Sequence, residues 1–189
     1  MATVATPITL EEFLALPDDG VERWVVNGEL RERDKSMTRR NRFHSRVMAC
    51  LTTELENWNR QLKPPRGQVL TGDVGIVLHR EPMALYGVDV AYVSSDVLTR
   101  QTEENTIIEG VPVLAVEILS PNDTVEDIHD KIEAYRSAGV PLVWIVDPYL
   151  KTLTVHRPDS EPELFTSRME LRGEPHLPGF RVPASRLFE

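Results

Sequence analysis

Residues 113–119, VLAVEIL, and residues 142–146, LVWIV, constrain this chain more than any other feature. Both runs are nearly continuous in aliphatic side chains, the pattern of strands buried inside a sheet. Between them, Ser120-Pro121-Asn122-Asp123 breaks the first run and opens a helix to about Ala138. Gly139 suits the C-terminal cap of that helix, and Pro141 blocks its continuation. Strand, helix, strand is a crossover unit, which requires a parallel pair within a mixed sheet. The fold class is therefore α/β, or α+β with a mixed central sheet.

The remaining segments fit around that unit. Ile8–Leu16 reads as a short helix, with Thr9 as N-cap and Glu12 completing a capping box. Residues 22–32 read as a hairpin turning at Asn27-Gly28, the strongest short hairpin signal. Phe43 to Leu62 has helical spacing of Phe43, Val47, Cys50 or Leu51, Leu55 and Trp58, and Pro64-Pro65 stops it. Val69–Leu78 and Gly87–Val93 read as strands, residues 94–110 as a polar loop with room for a helical turn, and Leu153–His156 as a strand after an Asp147-Pro148 turn. The segment from Pro158 is rich in Pro and Glu, with LPGFRVPASRLF packing back.

Composition narrows the function. The chain has 189 residues, enough for a sizeable core, and a net charge of −9. That balance argues against a protein that coats nucleic acid without sequence preference. It leaves room for a nuclease, because carboxylates that hold a divalent cation reverse the local sign. Cys50 is the single cysteine, so neither an internal disulfide nor a cysteine-built zinc site is expected. No apolar run reaches a membrane-spanning length, and the first residues lack the pattern of a secretory signal, so the expected location is the cytoplasm.

Two carboxylates interrupt apolar strands. Glu117 lies within VLAVEIL and Asp89 within VDVAYV. An unpaired ionised carboxylate in such a place costs several kcal/mol, so each must be paired, protonated or bound to metal. A buried ion pair, a strand-end carboxylate reaching solvent and, for Asp89, a turn residue after Gly87 are the structural alternatives. Two carboxylates from neighbouring strands can also share Mg²⁺ or Mn²⁺. Lys131, one of only four lysines, lies on the helix after the Glu117 strand, at the border of the stripe formed by Ile128, Ile132 and Tyr135. Its simplest role is an exposed pair with Asp127. Because a boundary lysine contributes little to stability, its removal is expected to leave folding intact even where it serves a catalytic site. Tyr135 reads as core. The cluster Arg39, Arg40 and Arg42 is either a solvated loop or a set of phosphate contacts. Asp147 reads as a turn aspartate that caps backbone N–H groups.

The pattern of Asp89, Glu117 and Lys131 resembles the PD-(D/E)XK nuclease superfamily, and more closely the Uma-type restriction endonuclease family. ERWVVNGEL, FHSRV, GVDVAYV, the stretch from VLAVEILSPND to LVWIVDP, and LPGFRV carry the likeness over most of the chain. The resemblance implies a helix–strand–strand–strand–helix–strand core, dependence on Mg²⁺ or Mn²⁺, and hydrolysis of DNA phosphodiester bonds. On it, Asp89 and Glu117 are metal ligands, with Glu22 and the Ile118 carbonyl completing the shell. Lys131 is the catalytic lysine, Asp127 orients it, and His44 contacts the metal water or the phosphate. It also implies one domain over 1–189, with 1–42 an N-terminal extension, 43–157 the nuclease core and 158–189 a tail. A homodimer would suit cleavage of both strands. Two positions depart from the pattern. Val88 replaces a usual proline, and Leu119 stands where the superfamily motif has its lysine; the Uma-type resemblance implies a lysine on the next helix instead, and Lys131 fits that place. The competing reading is a catalytically inactive nuclease fold that binds nucleic acid or a protein partner.

Overall fold

The structure, a computed structural model, describes residues 7–33, 41–103, 106–121 and 123–189. A mixed sheet is its frame. Helix α1 (Leu10–Leu14) is followed by the hairpin β1 (Glu22–Val26) and β2 (Glu29–Arg33), then by α2 (Arg42–Asn59). β3 (Gln68–Arg80), β4 (Met83–Val93), α3 (Ser95–Leu98) and β5 (Ile108–Glu109) come next. The crossover consists of β6 (Leu114–Ile118), α4 (Val125–Ser137) and β7 (Leu142–Asp147), and β8 (Thr152–His156) and β9 (Glu163–Thr166) extend the sheet. A separate ribbon pairs β10 (Glu170–Arg172) with β11 (Arg181–Pro183), before a 3-10 helix at Ala184–Phe188.

The local signals act as read. Thr9 and Glu12 form the reciprocal capping box of α1. Asn27 and Gly28 both take positive φ, at 50° and 83°, as a tight hairpin turn between right-twisted strands requires. At the end of α4, the Gly139 N–H donates to the Arg136 carbonyl and the Val140 N–H to the Tyr135 carbonyl, with Gly139 at φ 81°. This is the paired closure that a left-handed glycine permits.

The path through the sheet is β2-β1-β4-β6-β7-β8-β9, with β3 on β4 and β5 on β3. β6 and β7 are parallel from Leu114↔Leu142 to Ile118↔Val146, as the crossover demands. β3 pairs along nearly all of β4. The opposite edge of β4 is therefore shared, with β1 pairing at Leu85 and β6 at Val90–Tyr92. The fork between β1 and β6 lies beside Gly87, Val88 and Asp89.

Alternation along β6 sends Leu114, Val116 and Ile118 into a core cluster with Val47, Leu51 and Leu55 of α2. Ala115 joins the other cluster, with Tyr135 of α4 and Val143 and Ile145 of β7. Each fully buried aliphatic side chain here contributes about 1.5–3 kcal/mol relative to its exposed state.

Two expectations needed revision. β4 begins at Met83 rather than Gly87, and its first four residues are buried. Residues 94–110 contain, besides the expected helical turn α3, the short strand β5. Beyond residue 157, β9 joins the main sheet on β8, while Leu177, Phe180, Val182 and Leu187 enter the α2 cluster. No helix among the described residues is long and apolar enough to cross a membrane.

Candidate active site

The alternation of β4 slips phase at Asp89. Ala84, Tyr86 and Val88 pack in the α4 cluster, then Val90 and Tyr92 in the α2 cluster, with Ala91 and Val93 back on the α4 side. The cause is visible in the neighbouring strand. Thr71 pairs with Val90 and Val74 with Val88, so two β3 residues, Gly72 and Asp73, oppose Asp89 alone. Both take positive φ, 96° and 59°. A bulge of this kind bends the strand and re-aims a side chain. The Thr71 hydroxyl donates to the Asp89 carbonyl at 3.0 Å and fixes the backbone there.

The redirected Asp89 carboxylate lies between α2 and the end of β6. Its Oδ2 accepts from the Ile118 N–H at 2.8 Å and lies 3.1 Å from His44 Nε2. His44 sits in the first turn of α2, whose N-cap Asn41 accepts from the Phe43 and His44 N–H groups. The His44 Nδ1 is buried without a hydrogen-bond partner. In the neutral ring, the tautomer that donates from Nε2 to Asp89 is the one that leaves no buried N–H unpaired. Burial pushes the Asp89 carboxyl up, but the His44 ring and the Ile118 N–H outweigh it and hold its pKa below the ordinary aspartate value.

The β4–β6 register ends at Val90↔Val116, and Asp89 and Glu117 are the next residues of the two strands beyond that pair. Both are only 6% exposed. α4 supplies a donor to each oxygen of Glu117. Lys131 Nζ donates to Oε2 at 2.6 Å and the Tyr135 hydroxyl to Oε1 at 2.5 Å. Burial raises the Glu117 pKa above the ordinary glutamate value, against the opposing effect of Lys131. Burial lowers the Lys131 ammonium, but Glu117 outweighs it, so its pKa lies above the ordinary lysine value. Asp89 adds to both effects, raising Glu117 and supporting the charged lysine.

The structure thus brings Asp89, His44, Glu117 and Lys131 together at the fork in the sheet. A cavity of about 580 Å³ opens beside Glu117 and Lys131, which line it with Glu22, Trp24, Arg31 and Asp123 among others, whereas Asp89 and His44 are not on its wall. Lys131 is 29% exposed along its side chain and so joins the buried carboxylate to that space.

Other expected residues have different partners. Asp127, expected to orient Lys131, accepts from Arg33 at 2.7 Å and from the Thr124 N–H in the α4 capping box. Arg33 also lies 5.5 Å from the centre of the Trp24 ring, so the hairpin is clasped to the start of α4. Glu22 lines the cavity wall, but no set of three His, Cys, Asp or Glu side chains able to hold a metal ion occurs among the described residues. Arg42 is exposed and stacks on Phe43, 4.7 Å from the ring centre. Arg39 and Arg40 lie outside the described residues. Asp147 caps the turn after β7, accepting from the Tyr149 and Leu150 N–H groups.

The sequence reading missed Tyr135 as a partner of Glu117. The signal was available: Lys131 and Tyr135 are four residues apart and share a helix face. The bulge also had a mark, since Gly72 interrupts a strand pattern.

The mixed sheet with its parallel crossover makes this an α/β protein. The family model described as "Uma2: Putative restriction endonuclease" matches residues 10–185, and the chain belongs to that family. Among solved structures, it is similar to one described as a putative nuclease belonging to DUF820 from Anabaena variabilis. That likeness has a TM-score of 0.76 at 20% identity and covers 96% of this chain and 98% of the other. None of the curated proteins matches.

Proposed function

We propose that this protein is a metal-dependent endonuclease that hydrolyses DNA phosphodiester bonds at the fork between β1 and β6, beside Asp89 of β4 and Glu117 of β6. The observation that carries the reading is a pair of buried carboxylates on adjacent strands with one ammonium on the following helix. Their oxygens suit a hard divalent cation, Mg²⁺ or Mn²⁺, whose remaining positions water would fill. Asp89 and Glu117 would hold that ion, with the Ile118 carbonyl as a further oxygen. When bound, it lowers the pKa of a coordinated water and offsets charge on the phosphate.

The residues of the chain do the rest. The His44 ring and the Ile118 N–H fix Asp89 in one orientation. Lys131 lies between Glu117 and the cavity, where its ammonium can meet a phosphate oxygen as a point charge. Arg42 offers a positive contact outside the centre. With a net charge of −9, binding to DNA must rest on such local charge and fall with added salt.

The test is plasmid cleavage with Mg²⁺ and Mn²⁺ by the wild type, Asp89→Ala and Glu117→Ala. The expected result is metal-dependent nicking or linearisation, lowered by about 10²-fold or more in each variant. Equal cleavage by the wild type and Asp89→Ala would refute the proposal. Salt-sensitive binding without turnover would instead identify a nuclease fold kept for binding.

A further inference from the structure

We propose that Tyr135 is the positioning residue of Glu117. Its hydroxyl fixes one carboxylate oxygen, so that the other faces Lys131 and the cavity. The inference rests on the reading of Glu117 as a metal ligand.

A tyrosine on the inner face of a helix commonly serves as core, and a phenylalanine would pack there equally well. Tyr135 is fully buried, and its hydroxyl has a specific partner, the Glu117 Oε1, at 2.5 Å. The side chain of glutamate ends in a torsion with broad, shallow preferences. A single donor at Oε2 leaves that torsion free to swing. A second donor at Oε1, from the same rigid helix, removes this freedom. Lys131 and Tyr135 therefore form a two-point grip, four residues apart, with one donor on each oxygen.

An internal comparison lies next to it. The Tyr86 ring packs 5.8 Å from that of Tyr135, centre to centre. Tyr86 is also buried, but its hydroxyl has no hydrogen-bond partner. Removal of either hydroxyl keeps the aromatic pair, yet only one removal touches Glu117. Groups that orient a metal ligand typically change metal affinity or activity by about 10–100-fold when removed.

The experiment compares wild type, Tyr135→Phe and Tyr86→Phe by Mn²⁺ titration, followed calorimetrically or by electron paramagnetic resonance, and by cleavage kinetics. Tyr135→Phe is expected to weaken Mn²⁺ binding about 10-fold or more and to lower kcat, with the KM for DNA little changed. Tyr86→Phe is expected to match the wild type in both. Equal Mn²⁺ affinity of wild type and Tyr135→Phe would overturn this proposal alone, and a wild type that binds no Mn²⁺ would overturn it together with the reading beneath it. A melting experiment on metal-free protein adds a measurement independent of activity. The loss of Tm caused by Tyr135→Phe should largely vanish in a Glu117→Ala background. An undiminished loss would show that Tyr135 is structural only.

Discussion

Lys131→Met is the perturbation whose energetics the structure defines best. A boundary lysine paired with an exposed aspartate would be dispensable for folding. Lys131 instead compensates Glu117, whose side chain is only 8% exposed. Breaking a buried pair by removing one partner costs about 3–5 kcal/mol, because the other charge is left buried. The 29% exposure of the Lys131 side chain places this case at or below the low end, about 2–3 kcal/mol. For a chain of this length that is a fall in Tm of about 5–10 °C at pH 8. The pH dependence gives the sharper test. The pKa of Glu117 in the folded protein is already raised above its ordinary value, and loss of Lys131 raises it further. A group with a raised folded pKa binds more protons folded than unfolded, so its unfavourable contribution grows as pH rises from the unfolded towards the folded value. Below that window Glu117 is protonated and uncharged, and the missing ammonium matters less. Thermal melts of wild type and variant should therefore differ by about half as much, or less, at pH 5 as at pH 8. A gap independent of pH, or one below about 1 °C at pH 8, would refute the claim that Lys131 neutralises a buried carboxylate.

Two further outcomes follow from other contacts. Arg33→Ala removes the clasp between the hairpin and α4 and should lower stability by about 0.5–1 kcal/mol, an effect that 0.5 M salt should reduce in a melting experiment. Gly139→Ala places a side chain at φ 81° with nothing within 4 Å of its new Cβ. The cost should be backbone strain alone, about 1 kcal/mol in denaturant titration with an unchanged slope.

Local rules made much of the fold legible. The capping box of Thr9 and Glu12, the Asn27-Gly28 turn, the crossover from VLAVEIL to LVWIV and the Gly139 cap each depend on residues close together in sequence. Asp89 and Glu117 could be picked out because polar groups in apolar segments need partners, whereas Lys131, at the border of a helix stripe, stood out only through the family resemblance. The identity of those partners was less accessible. Arg33 reaches Asp127 across 94 positions, and no local pattern reports such a contact. The approach of His44 to Asp89 depends on the slip in β4, which Gly72 and Asp73 impose from the neighbouring strand. Tyr135 was hidden for a different reason: its ring satisfies the core pattern completely, and only its hydroxyl betrays a second role.

The most direct test of the central claim is the anomalous difference map of a crystal soaked in Mn²⁺. The expected result is a peak between the carboxylates of Asp89 and Glu117, lost in Asp89→Ala. A map without density there, or with Mn²⁺ bound only at surface carboxylates, would contradict it.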